Sequence, residues 1–188
     1  MKKFKGNKKS GFTLVEILLV VGFIALAGIG IYTIYNKVQM SNAALTEGKN
    51  LDTIRAGVKG LFAGRNNYTL ITNQILNDAR VTPDSMRAVP YVAGDGTITN
   101  SFGGAVILLP NSINGFDNAF TVIYQNVPGA VCSKLATSAG INWDEVVIYS
   151  PGPTVVKAYG QSNIDVGAVA FSCASDTGNG VEMRLTSM

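Results

Sequence analysis

The chain contains no histidine and only two cysteines, Cys132 and Cys173, among its 188 residues. Without an imidazole there is no Ser-His-Asp or Cys-His nucleophile and no His-ligated zinc, and two thiols alone do not complete a tetrahedral Cys₄ site. Catalysis, a metal centre and a bound cofactor are therefore not expected. Proline is missing until Pro83, so no fixed φ interrupts a helix before that point. Acidic residues are missing from the first eleven positions, MKKFKGNKKSG, which hold Lys2, Lys3, Lys5, Lys8 and Lys9. Charged residues are only 14% of the whole and hydrophobic residues 47%, which sets aside collagen-like and disordered chains and fits one folded domain with an appendage.

Removing the five lysines leaves ten basic and twelve acidic side chains, so the formal balance moves from +3 to −2. The basic excess belongs to the terminus, and no direct binding of nucleic acid is expected from the rest. Next comes Phe12 to Tyr35, FTLVEILLVVGFIALAGIGIYTIY, with 18 of 24 residues apolar, three Gly, two Thr and a single charge, Glu16. As a helix this stretch spans about 36 Å, enough for a hydrocarbon core of about 30 Å. Lysines on its N-terminal side predict that this end stays in the cytoplasm and that the chain from about Asn36 is translocated.

An ordinary secretory signal would use Ala25-Leu26-Ala27 as its cleavage site. Glu16 argues against it, because a charge inside an apolar stretch costs roughly 2.5–3.5 kcal/mol on insertion scales and targeting alone gains nothing from it. A plain membrane anchor tolerates the carboxylate near the interface without giving a reason for it. A third reading supplies the reason.

Lys8-Lys9-Ser10-Gly11 followed by Phe12-Thr13-Leu14-Val15-Glu16 resembles the class III signal of type IV pilins and their pseudopilin relatives. The resemblance implies a prepilin: a membrane peptidase cuts after Gly11 and methylates the new amine of Phe12, and the apolar helix remains on the mature protein. It also implies that Glu16, then the fifth residue, is the assembly glutamate. Partners implied are other copies of the chain in a helical filament, the prepilin peptidase, the pilus assembly platform and, before assembly, the inner membrane. The expected location is the bacterial inner membrane for the precursor and an extracellular pilus afterwards.

The chemistry of Glu16 has its own logic. A carboxylate in low dielectric is unfavourable by several kcal/mol unless paired or protonated. Cleavage after Gly11 creates an α-amine with an ordinary pKa of about 7.7–8.0, largely cationic near neutral pH. Glu16 of one subunit is expected to meet the Phe12 amine of a neighbour, fixing the axial register; snorkelling of the carboxylate to the interface is the simpler alternative. Gly22, Gly28 and Gly30 weaken the helix, each by about 0.8–1.0 kcal/mol relative to Ala. They mark where it would bend or melt, or where small residues let helices pack closely.

Beyond Asn36 the pattern turns amphipathic, with Leu51, Ile54, Val58, Leu61 and Phe62 on one face and Asp52, Arg55 and Lys59 on another. One helix over 12–64 is the simplest reading, its 12–35 half being the transmembrane and assembly segment. Gly57, Gly60 and Gly64 share a stripe open to close approach, or Gly64 is the C-terminal cap. Short β-branched or aromatic segments at 105–109, 120–124, 146–149, 155–159, 168–172 and 181–185 predict strands. A helix is expected after Pro128 and another between Thr72 and Arg80. The expected fold is α+β: a basic leader over 1–11, a long N-terminal helix, and a globular domain over 65–188 in which an antiparallel sheet packs on the helix.

Both cysteines lie in the part predicted to be exported, where a disulfide is permitted. Closing a loop of about 42 residues is worth ~4 kcal/mol in the chain-entropy model; two separate buried thiols are the alternative. The Cys132–Cys173 bounded region resembles that of type IVb pilins, whereas the short leader and Phe12 follow the type IVa pattern. No P-loop, dinucleotide fingerprint or nucleophile elbow is present. Asn67-Tyr68-Thr69 matches a glycosylation sequon of the kind that arises by chance. Asp176-Thr177-Gly178-Asn179-Gly180 has oxygen donors for Ca²⁺, but a tight turn accounts for it. The functional classes are then a pilus subunit, a pseudopilin of a type II secretion pseudopilus, or a monomeric anchored binding protein.

Overall fold

The structure is a computed structural model that describes residues 13–65, 67–113, 116–175, 178 and 180–188, with Phe116 described by its backbone alone. The chain divides into two compact units, 1–39 and 40–188. Helix α1, Leu14–Leu61, contributes to both. Its first part is apolar on all sides and exposed: Phe23, Ile24 and Tyr32 each keep about two thirds of their surface.

The second unit is built around the amphipathic part of α1. Ala44, Leu51, Ile54, Val58 and Phe62 are buried in one cluster with the inner face of a sheet. The remaining elements are α2 (Asn73–Asp78), β1 (Val106–Ile113), β2 (Phe116–Val127), α3 (Gly129–Asn142), β3 (Glu145–Tyr149), β4 (Pro153–Lys157), α4 (Val166–Ala174) and β5 (Val181–Ser187). Among the described residues the strands form one sheet in the order β1-β2-β5-β3-β4, every pairing antiparallel. Alternation places Val106, Leu108, Val122, Tyr124, Met183, Leu185, Val146 and Ile148 inward. Phe120 links this layer to Tyr68 and Trp143 through ring contacts at 5.0 and 5.9 Å.

The edge of β1 is closed to further strands. Asn73 Nδ2 donates to the Val106 carbonyl at 2.7 Å, and the Leu108 N–H donates to Asn73 Oδ1 at 2.8 Å. Pro110 has no N–H, and the Ser112 N–H donates to Asn111 Oδ1 at 2.8 Å. Such blocking keeps an edge strand from pairing with a strand of another chain.

Five of the six expected strand segments fall in β1, β2, β3, β4 and β5, and both shorter helices form. The sixth, 168–172, is corrected: it lies inside α4. The Asp165 side chain accepts from the Ala168 N–H at 3.0 Å, an N-cap that starts the helix. Val169, Ser172 and Cys173 then recur at helical spacing on the buried face. Small and β-branched residues alone did not reveal the cap three positions upstream.

Helix α2 ends in a Schellman motif. The Arg80 N–H donates to the Asn77 carbonyl at 3.1 Å and the Val81 N–H to the Leu76 carbonyl at 2.9 Å. Glycine usually fills the left-handed position, yet here it is Arg80, at φ 55°. An L-residue there costs roughly 1–2 kcal/mol.

The glycine stripe on α1 is used at one point. A Cβ on Gly57 would stand 2.3 Å from Val81 Cγ1, whereas a Cβ on Gly60 would have open space. Gly57→Ala is therefore expected to destabilise the fold by about 1–3 kcal/mol through overpacking against a β-branched side chain. Gly60→Ala, one turn away, should stabilise it by up to about 1 kcal/mol through helix propensity. Urea unfolding of the detergent-solubilised full chain, followed by circular dichroism, checks the opposite signs.

Candidate assembly site on the N-terminal helix

Gly11 and Phe12 lie outside the described residues, so the described part of the site begins at Thr13. Glu16 stands in the first turn of α1 and is exposed. Its N–H donates to Thr13 Oγ1 at 3.3 Å, and the Thr13 N–H donates to Glu16 Oε2 in a long contact of 3.5 Å. This is a capping box, in which two helix-terminal N–H groups are satisfied reciprocally. The Thr-x-x-Glu spacing that signals it is present in the sequence, although the sequence reading used Glu16 only as a charge. A carboxylate at this end is also favoured by the helix macrodipole.

Cap and pairing are compatible roles. The box uses one carboxylate oxygen, Oε2, and leaves Oε1 without a partner among the described residues. Around it the helix surface is continuous and apolar, and Gly22, Gly28 and Gly30 each have open space where a Cβ would stand. Such a surface offers hydrocarbon contact to lipid or to other helices, plus one anionic point at a fixed axial position. Helix α1 is long and apolar enough to cross a membrane.

In the second unit α1 is held by a buried carboxylate. Glu47 is 1% exposed; its Oε1 accepts from the Ser101 N–H at 3.0 Å, and its Oε2 accepts from Asn50 Nδ2 at 3.4 Å and from the Tyr124 hydroxyl. One side chain thereby joins α1, the segment before β1, and β2. Sequence reasoning missed Glu47, but its spacing was a signal, because it falls four residues before Leu51 on the apolar stripe. Asn50 belongs to the same buried face.

Cys132 and Cys173 form a disulfide with a Cα–Cα distance of 5.6 Å, joining α3 to α4. The bounded segment supplies β3 and β4, the strands on one side of β5. Lys157 closes the end of α3: it is 6% exposed and its Nζ donates to the Gly140 and Trp143 carbonyls, both at 2.7 Å. A cation at a helix C-terminus is favoured by the macrodipole and by the unpaired carbonyls there. At the chain's last residues, the Ser187 hydroxyl accepts from Arg55 Nε at 2.9 Å and donates to Asp144 Oδ2 at 3.0 Å, tying β5 to α1 and to the start of β3. Burial lowers the pKa of Lys59 nearby, and raises that of Tyr68.

Among the described residues no group of His, Cys, Asp and Glu is arranged to hold a metal. Of the candidate calcium turn, Asp176, Thr177 and Asn179 lie outside the described residues, while Gly178 and Gly180 have positive φ.

An apolar helix with a carboxylate in its first turn, continuing into the core of an antiparallel sheet whose C-terminal strand is central, defines a pilin-like protein. The family model described as PilS N terminal matches residues 41–187, and the chain belongs to that family. Among curated proteins it is similar to the toxin coregulated pilin of Vibrio cholerae, at 21% identity over 186 residues, covering 94% of this chain and 76% of the relative. Its fold matches the crystal structure of the type IVb pilin from Salmonella typhi with a TM-score of 0.56 at 20% identity, covering 74% of this chain and 96% of the other. It matches TcpA, a type IV pilin from the Vibrio cholerae El Tor biotype, with a TM-score of 0.55 at 16% identity, covering 79% and 100%. The fold is that of the type IVb pilins, and the IVb side of the sequence resemblance holds.

Removing Glu47 would strand buried donors. Glu47→Ala is expected to lower stability by about 1–3 kcal/mol for each hydrogen-bonding group left unpaired. Tyr124→Phe, added to Glu47→Ala, should cost less than it does alone, because the hydroxyl then has no carboxylate to lose. A double-mutant cycle by urea unfolding measures this coupling.

Proposed function

We propose that the chain is the structural subunit of a type IV pilus. In this reading 1–11 is the leader, cut after Gly11 by the prepilin peptidase, which also methylates the Phe12 amine. Residues 12–64 are the assembly helix, with 12–35 held in the inner membrane before assembly, and 65–188 the globular domain with its disulfide-bounded region 132–173. The assembly platform draws the subunit out of the bilayer into an extracellular homopolymer. The protein works by polymerising and has no catalytic role.

The observation that carries this reading is the wholly exposed apolar part of α1 with a single carboxylate in its first turn. Apolar attraction is strong and non-directional, so bundled helices slide unless something fixes them. A buried anion opposite a cation fixes them, because a slipped register leaves both charges unpaired in low dielectric. The cation proposed is the Phe12 α-amine of a neighbouring subunit, which exists only after cleavage; uncut precursor then has no partner for Glu16 and does not assemble. Membership of the PilS N-terminal family and the type IVb pilin fold support the reading.

Two substitutions separate the cap from the charge. Glutamine at the third helical position maintains a capping box and carries no charge. Glu16→Gln and Glu16→Ala are both expected to insert and to be cleaved normally, and to give few or no filaments in the fraction sheared from cells. Abundant filaments from Glu16→Gln, with few from Glu16→Ala, would mean that Glu16 serves as a cap and that no salt bridge is made.

A further inference from the structure

Between α2 and β1, Arg80 and Arg87 both approach the ring of Tyr91, their guanidinium carbons lying 5.9 and 5.8 Å from its centroid. The ring is fixed from its other end. Tyr91 Oη donates to Asp78 Oδ1 at 2.6 Å, and the same oxygen accepts from the Gly94 N–H at 3.1 Å. These bonds hold the Asp78 carboxyl below the usual carboxylate range, so its charge is directed at the Tyr91 hydroxyl and the loop backbone. Two adjoining recesses, of about 180 and 270 Å³, share Arg80, Asp84 and Arg87 in their walls. Tyr91 and Val89 also line the smaller, Thr53 and Thr82 the larger.

Three independent features suggest a ligand. Arg80 occupies the left-handed position of the Schellman motif, where glycine would sit without strain, so the backbone gives no reason for an arginine. Its guanidinium takes part in no ion pair among the described residues, which leaves its planar fork of donors open. Both arginines line the same two recesses, so one group placed there lies beside both.

The recess already takes a carboxylate. Arg87, whose side chain is 10% exposed, is paired with Asp84, whose own side chain is 91% exposed. The solvated carboxylate is the replaceable half of this pair, and an anion that meets both guanidiniums competes with it. We propose that the Arg80–Arg87–Tyr91 recess is an oxyanion-binding site, taking one carboxylate or phosphate group on the two guanidiniums. The oxyanion comes from a dissolved ion or from an acidic side chain of a second copy of the chain.

The first test needs no filament and so stands apart from the pilus reading. The full chain in detergent micelles is titrated with inorganic phosphate and, separately, with acetate, while the arginine Nε–Hε resonances are followed by NMR. Saturable shifts at Arg80 and Arg87 are expected. Arg80→Gly should raise the urea midpoint, since the backbone strain is relieved, yet weaken phosphate binding about tenfold or more, as for a lost charge-assisted contact. Asp84→Asn, which removes the internal competitor, should tighten it. The second test is fibre yield. Loss of fibres from Arg80→Gly cells assigns the oxyanion to a second copy, and unchanged fibres that bind phosphate as the solubilised chain does assign it to a dissolved ion. Phosphate binding that Arg80→Gly leaves intact overturns the proposal. So does the absence of any saturable shift together with normal fibres from Arg80→Gly cells.

Discussion

Sixteen large apolar side chains between Leu14 and Val38 are exposed on every side of one helix, and water is a poor solvent for all of them. Each contributes roughly 1.5–3 kcal/mol when fully removed from water, so the segment calls for an apolar environment. A helix that is apolar all round has no preferred face. Glu16 is the one position on it where orientation and axial level change the energy steeply. The capping box with Thr13 keeps the carboxylate at the very start of the helix, where the proposed pairing with a neighbour's amine needs it.

The second unit is held together by different interactions. Residues 40–61 of α1 are held by a stripe of buried side chains and by the four-group contact around Glu47. Strand β5 lies in the middle of the sheet, so the two sides of the sheet are joined only when β5 is in place. Strands β3 and β4 belong to the segment closed by Cys132–Cys173, and the disulfide limits how far that segment can separate from the rest. Edge blocking at Asn73 and Pro110 keeps β1 from pairing with a further strand.

The elements with strong periodicity were legible in the sequence. The helix pattern at Leu51, Ile54 and Val58, the short β-branched runs, and the helix after Pro128 all express burial on one face, which period alone reveals. The pairing of Cys132 with Cys173 followed from there being only two cysteines in the predicted exported part. Strand order was not legible, since hydrophobic alternation carries no information about neighbours. Helix α4 was read as a strand because its start depends on one side-chain cap from Asp165, a local bond that outweighs β-propensity. Glu47 was passed over because a charged residue is expected outside; three hydrogen-bond donors brought from distant segments and from Asn50 make its burial tolerable. The left-handed Arg80 was equally hidden, for nothing in its neighbours' identity predicts an arginine where glycine is usual.

The most direct test is the identity of the first residue, and the intact mass, of the polypeptide recovered from sheared fibres. The expected result is a chain that begins at Phe12 with one methyl group on its nitrogen. A chain that still carries Met1, or one that begins at Gly28 after removal of the apolar helix, would leave Glu16 without its partner and contradict the proposed basis of assembly.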